Sequence, residues 1–155
     1  MKHFLSERLI QCPSMLLSQL TEVKPVSTSI VAADHAIALD SARQAFDAGI
    51  IQPVLIGGLA KISEAAENIG WDISALECIE ANGENEAAEE GARLAHVGSV
   101  NMVMKGHIHT DAFMRPLLAK GSGIRTGRRL SHVFHMSLPG RDDSLLLTDC
   151  ALNVA

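Results

Sequence analysis

The sequence predicts an α/β fold in which a mostly parallel sheet carries helices on both faces. Residues 1–129 are expected to form an N-terminal α/β domain, and 130–155 the beginning of a second. Three observations lead there. Short apolar runs alternate with segments whose apolar residues recur at helical spacing, the β-α-β-α pattern of a parallel sheet. Two of the helical segments close on glycines, Gly49 and Gly70, as helix C-termini commonly do. The run Val100, Met102, Val103, Met104 has the apolar character of a covered parallel strand.

Taken in order, residues 4–20 are expected to form a short helix broken at Pro13. Ser27 to Ala33 reads as the first central strand. Asp34 is placed to cap a helix running to about Ala48, with Ala38, Leu39, Ala42, Ala45 and Phe46 along one face. Gln52 to Ile56 is a second strand, followed by Gly57, Gly58 and a helix to about Ile69. Leu76 to Glu80 is a short third strand. Glu84 to His96 is a helix with an acidic exposed face, in which Gly91 is a weak point by propensity. The buried strand at Val100 leads into a helix capped by Thr110 or Asp111, and Pro116 should kink that helix or delay its start. Lys120 to Arg129 is a glycine-rich basic loop. Leu130 to Ser137 and Ser144 to Thr148 are strands joined by a turn at Pro139 to Asp143, so they should pair as an antiparallel hairpin. The apolar stretch from Leu145 to Ala155 has no polar closing element, and more protein is expected to follow it.

The 155 residues are 47% hydrophobic and 20% charged, an ordinary globular composition. A net charge of −5 argues against general nucleic-acid binding, which draws on excess Lys and Arg. Any anion site must therefore be local. Cys12, Cys78 and Cys150 form neither a metal spacing nor a disulfide framework, which favours a reducing, cytoplasmic setting. No stretch approaches the ~20 apolar residues of a membrane span.

The stretch VNMVMKGHIHTDAFMRP holds the chemistry. In open α/β sheets, ligands bind beyond the carboxyl ends of the strands. Here a strand end is followed at once by Lys105, Gly106, His107, His109 and Thr110, then by a helix start with its partial positive charge. Lys105, Thr110 and backbone N–H groups near Gly106 suit a phosphate or another anion. Ser131 and His132 are adjacent on a strand and point to opposite faces, which argues against a hydrolase pair.

Four segments together, VAADHAIALDSARQAFDAGIIQPVLIGG, MKGHIHTDAFMRPLL, GIRTGRRLSHVFHM and LLLTDCALNVA, resemble the phosphate acetyl/butyryltransferase family from about Ser27 to Ala155. The closest likeness is to phosphate butyryltransferases and to the phosphate acetyltransferase part of bifunctional proteins with an enoyl-CoA hydratase domain. The resemblance implies transfer of an acyl group between coenzyme A and inorganic phosphate. It also implies a fold similar to isocitrate and isopropylmalate dehydrogenases, with the active site between two α/β domains.

Family members are about twice this length. Their late Ser-Arg pair, and the Asp assigned as base for the CoA thiol, match nothing in these residues, so an inactive N-terminal half is expected. Under this reading Lys105, Gly106, His107, His109, Thr110, Ser131 and Asp149 bind substrate or phosphate, and Arg115, Arg125, Arg128 and Arg129 bind CoA. Acyl-CoA, acyl phosphate and phosphate are the expected partners, with a homodimer as the assembly and no further cofactor.

Two other readings stand beside this one. One is a non-catalytic domain binding acyl phosphate or CoA. The other is a metal site using His107, His109, His132 and His135, although no Cys or carboxylate completes a known motif. A dehydrogenase is disfavoured because no GxGxxG follows any strand.

Overall fold

The computed structural model of the protein describes Ser18 and residues 24–128, 130–137 and 144–149. The expected turn at 139–143, Arg129, Cys12, Cys150 and, apart from helical Ser18, the helix expected over 4–20 lie outside the described residues. The chain divides into two compact units, Lys24–Gly127, and Met1–Val23 with Arg128–Ala155.

In the larger unit β1 is Val26–Val31, α1 Ala36–Asp47, β2 Ile51–Gly57, α2 Leu59–Ile69, β3 Glu77–Glu80, α3 Glu84–His96, β4 Met102–Lys105 and α4 Thr110–Leu118. The four strands are parallel, in the order β3-β2-β1-β4. Successive residues of a strand face opposite sides, so each strand feeds two cores. Ile30 and Leu55 pack with Leu39, Ala42, Ile62 and Ala66 beneath α1 and α2. Val31, Val54 and Ile56 pack with Ala87, Ala88, Ala112 and Phe113 beneath α3 and α4. The chain steps from β1 through β2 to β3, then returns through α3 to β4 on the other side of β1. Keeping one crossover hand while the direction reverses places the helices on opposite faces.

Several boundaries expected from sequence hold because they are fixed locally. Gly70 takes the left-handed conformation that ends α2, at φ 66°. Glu84–His96 is helical as expected, with Glu86 and Glu89 exposed.

Four readings need correction. His35, not Asp34, is the N-cap of α1: its Nδ1 accepts the Ile37 N–H at 3.3 Å. His109, not Thr110 or Asp111, is the N-cap of α4. Pro116 neither delays α4 nor breaks its middle, because it falls in the last turn before Leu118. Finally, β4 is an edge strand among the described residues, with Met102 exposed and Val103 and Met104 half-buried. Its apolar run reflects alternating packing, Val103 on the α3 side and Met104 on the α1 side, without full burial.

The smaller unit contains β5 (Val133–Ser137) and β6 (Ser144–Thr148), paired antiparallel in the register Val133↔Thr148 to Ser137↔Ser144. This is the hairpin expected from the short connection. Among the described residues no helix is long and apolar enough to cross a membrane.

Gly91 is a packing requirement as well as a low point in helix propensity. A Cβ there would lie 2.5 Å from Val31 Cγ2, on a residue with no exposed surface. Propensity alone favours Gly91→Ala by ~1 kcal/mol. Overpacking against a β-branched core residue costs ~1–3 kcal/mol. Gly91→Ala is therefore expected to lower the urea midpoint with an unchanged slope, and a raised midpoint would contradict the close α3–sheet approach.

Candidate functional site

The strand order reverses direction at β1, so the carboxyl ends of β1 and β4 flank a topological switch point, where open α/β sheets bind ligands. Two loops meet there. Regular pairing ends at Val31↔Lys105, but the backbones stay bonded: Gly106 N–H donates to Val31 O at 2.8 Å and His107 N–H to Ala32 O at 3.1 Å. Ala32 adopts a left-handed conformation, φ 57°, as β1 bends into its loop. A Cβ on residue 106 would strike the Ala32 carbonyl and stand 2.5 Å from Val31 O. Glycine is needed at 106 for this close approach of two backbones.

That interlock changes the expected chemistry. The N–H groups of Gly106 and His107 are spent on β1, and the Ile108 N–H is turned to Gly106 O at 3.1 Å. The His109 N–H donates to Glu84 Oε2 at 3.2 Å. The N–H groups of residues 106–109 therefore all have partners within the chain. Lys105, His107, His109 and Thr110 are all exposed.

His107 and His109 do not act as a pair. The His107 ring stacks on His35 from the facing loop, with centroids 4.0 Å apart and planes 15° from parallel. His109 Nδ1 lies 2.9 and 3.0 Å from the two oxygens of Glu84. The α4 N-terminus accordingly carries one carboxylate from α3 and another, Asp111, in its own first turn. The first turn of α1 carries no acidic residue. Sequence reading missed Glu84 altogether and gave His35 no role. No spacing signal could reveal either, since each partner comes from a distant loop.

The remaining candidates lie elsewhere. Arg115 pairs with Asp111 at 3.4 Å and lines an open groove of ≈ 560 Å³ with Arg93, His96, Ala92, Ala112 and Pro116. Lys105 to Thr110 are not part of that groove. Arg125 and Arg128 are exposed in the loop after α4. In the smaller unit Ser131 Oγ donates to Asp149 Oδ1 at 3.3 Å, and the Asp149 N–H to His132 O at 2.9 Å. The Ser131 hydroxyl thus engages Asp149, while the His132 ring meets Phe134 edge-on at 4.0 Å. Among the described residues no three His, Cys, Asp or Glu side chains are grouped to hold a metal ion.

The Glu84–His109 pair fixes two titrations. The hydrogen bond to His109 holds the Glu84 carboxyl below the usual carboxylate range. The same bond, with the carboxylate's charge, raises His109 above an ordinary histidine. A raised histidine contributes below its unfolded pKa, and the contribution is lost as pH rises through the folded value. A depressed carboxylate contributes above its unfolded pKa and loses that contribution as pH falls through the folded value. The pair therefore locks α3 to α4 between the lowered Glu84 and the raised His109. Glu84→Gln is expected to lower the His109 midpoint in an NMR titration of the ring; an unmoved midpoint would show that the pair does not form in solution.

Residues 84–155 match the family described as Phosphate acetyl/butaryl transferase. A phosphate acetyltransferase of Rhizobium meliloti is 37% identical over 116 residues, 75% of this chain and 37% of that protein. A phosphate butyryltransferase of Clostridium beijerinckii is 35% identical over 138 residues, covering 89% of this chain and 46% of the relative. A phosphate acetyltransferase of Rickettsia typhi is 33% identical over 153 residues, covering 99% and 41%. In fold, a phosphotransacetylase from Streptococcus pyogenes superposes with a TM-score of 0.73 at 16% identity, over 94% of this chain and 53% of that one. The EutD phosphotransacetylase from Staphylococcus aureus gives 0.71 at 17%, over 93% and 52%. The chain spans less than half the length of these curated relatives. Over three quarters or more of its length, then, this chain is similar to phosphate acetyltransferases and a phosphate butyryltransferase.

Proposed function

We propose that the chain serves an acyltransferase that moves an acetyl or butyryl group between coenzyme A and inorganic phosphate, and that its switch-point crevice binds the phosphate or acyl phosphate. The observation that carries this reading is the stacking of His107 on His35 where the ends of β1 and β4 meet, on a backbone junction only glycine permits and two residues after Lys105. Acyl transfer needs the anion held still and the developing charge stabilised. Lys105 supplies a charge, Thr110 a hydroxyl, and the imidazoles further donors. In the same reading Ser131 and Asp149 contribute from a second domain beginning near residue 130, and Arg115, Arg125, Arg128 and Arg129 receive the phosphates of CoA. Coenzyme A is a substrate, no separate cofactor takes part, and the setting is the cytoplasm.

A second reading is a non-catalytic domain binding acyl phosphate or CoA. The thiol base and Ser-Arg pair that the resemblance implies match nothing here.

Both readings meet in one experiment. Calorimetry with phosphate and acetyl phosphate is expected to rank the variants, with Lys105→Ala weakening binding by ~1–3 kcal/mol, the loss of a charge-assisted contact, and Thr110→Val by less. The same 155-residue chain is expected to release no thiol in an assay with acyl phosphate and CoA. Robust turnover would establish the catalytic reading and reject the binding-only one. If Arg128→Ala abolishes binding while Lys105→Ala leaves it intact, the anion sits on the other loop.

We also propose that the chain self-associates as a homodimer. In the smaller unit Val133, Phe134, Met136, Leu145 and Leu146 are 43–60% exposed on a two-stranded hairpin, which is marginal by itself. Light scattering at micromolar concentration is expected to give twice the monomer mass, and a clean monomer would reject the dimer.

A further inference from the structure

The His35–His107 stack has a chemical asymmetry that bears on how the crevice holds an anion. His35 Nδ1 accepts the Ile37 N–H at 3.3 Å as the N-cap of α1. Accepting there requires a lone pair on Nδ1, so the His35 proton resides on Nε2. A cationic His35 would carry a proton on Nδ1 and forfeit the cap. His107 makes no such bond; its ring lies on the His35 face at 4.0 Å, tilted by 15°, and is exposed. If the pair gains a proton, His107 is therefore the ring that takes it. An imidazolium lying on a neutral aromatic face is favourable, whereas two stacked imidazoliums repel.

Lys105 is the last residue of β4, immediately before Gly106, and carries a positive charge at the strand end. Asp34, half-buried, precedes His35 and carries a negative charge. On the α3 and α4 side Glu84 is held by His109, and Asp111 lies in the first turn of α4. A doubly charged oxyanion entering beside Lys105 supplies the negative charge that a protonated His107 needs. His35 then offers its Nε2–H as a neutral donor next to it.

We infer that His35 and His107 form a two-imidazole clamp for a phosphate-type dianion, and that His107 takes up a proton as the anion binds. The inference rests on the reading that phosphate or acyl phosphate occupies this crevice, and it adds a distinct role for each ring. His35 is a fixed-tautomer donor and stacking platform; His107 is the group that changes charge.

The test is calorimetry of the 155-residue chain at neutral pH, with sulfate and with acetyl phosphate, in buffers of different ionisation enthalpy. Sulfate stays doubly charged across this range, so any proton taken up belongs to the protein. Binding is expected to take up a fraction of a proton, up to about one. His107→Gln should abolish the uptake and weaken binding about 3–10-fold, the loss of one hydrogen bond. His109→Gln should retain the uptake. His35→Asn preserves a capping oxygen, so the fold is kept, and should reduce both binding and uptake. Binding by acetyl phosphate without sulfate would mean that the clamp needs the acyl group, against the inference of a general dianion site. Binding with no proton uptake, or uptake that survives His107→Gln, would overturn the clamp while leaving the phosphate reading intact. Failure of both anions to bind would overturn both.

Discussion

The structure of the larger unit turns on the backbone contact between the ends of β1 and β4. Two N–H groups of the Lys105–Ile108 turn reach back to carbonyls at Val31 and Ala32, beyond the last regular pair of strand residues. Such contact is possible only where one strand presents no side chain, and Gly106 provides that place. Gly91 makes the matching allowance on the helix face, letting α3 settle on Val31 and Val103. The β1–β4 junction, the bend at Ala32 and the seat of α3 depend on one another. Together they hold the loops of His35 and His107 close enough for their rings to stack.

The arrangement carries a consequence for charge. Glu80, Glu84 and Glu86 accept N–H groups at the starts of helices or in the loops before them, at 3.0, 3.2 and 2.7 Å. The bonds to the Leu59 and His109 N–H groups satisfy donors that a helix start would leave open, and each of the three places a negative charge near a helix N-terminus. The first turn of α1 is free of acidic residues, and its cap is a histidine, which is itself a donor on its outer edge.

The hairpin in the smaller unit follows a different logic. Its pairing is regular, and its local bonds at His132 and Asp149 are made, yet several of its large apolar side chains stay exposed. Pairing satisfies the backbone, but two strands do not suffice to bury the side chains they carry. The four-stranded sheet of the larger unit, with helices on both faces, does bury its own.

What the sequence determined by itself was whatever is encoded within one or two turns of chain. The 3.6-residue periodicity placed Glu84–His96, glycine marked the end of α2, and the short link between two apolar runs dictated an antiparallel hairpin. The resemblance carried by four spaced segments was legible for the same reason, since it required no knowledge of contacts. Only the tertiary structure decided which donors of the Lys105–Thr110 turn were already spent, that Glu84 holds His109, and that His35 lies on His107. It also decided that, among the described residues, β4 stands at the edge of the sheet. These are pairings between loops far apart in sequence, selected by strand order and by competition for the same N–H groups. Local periodicity contains no term for either.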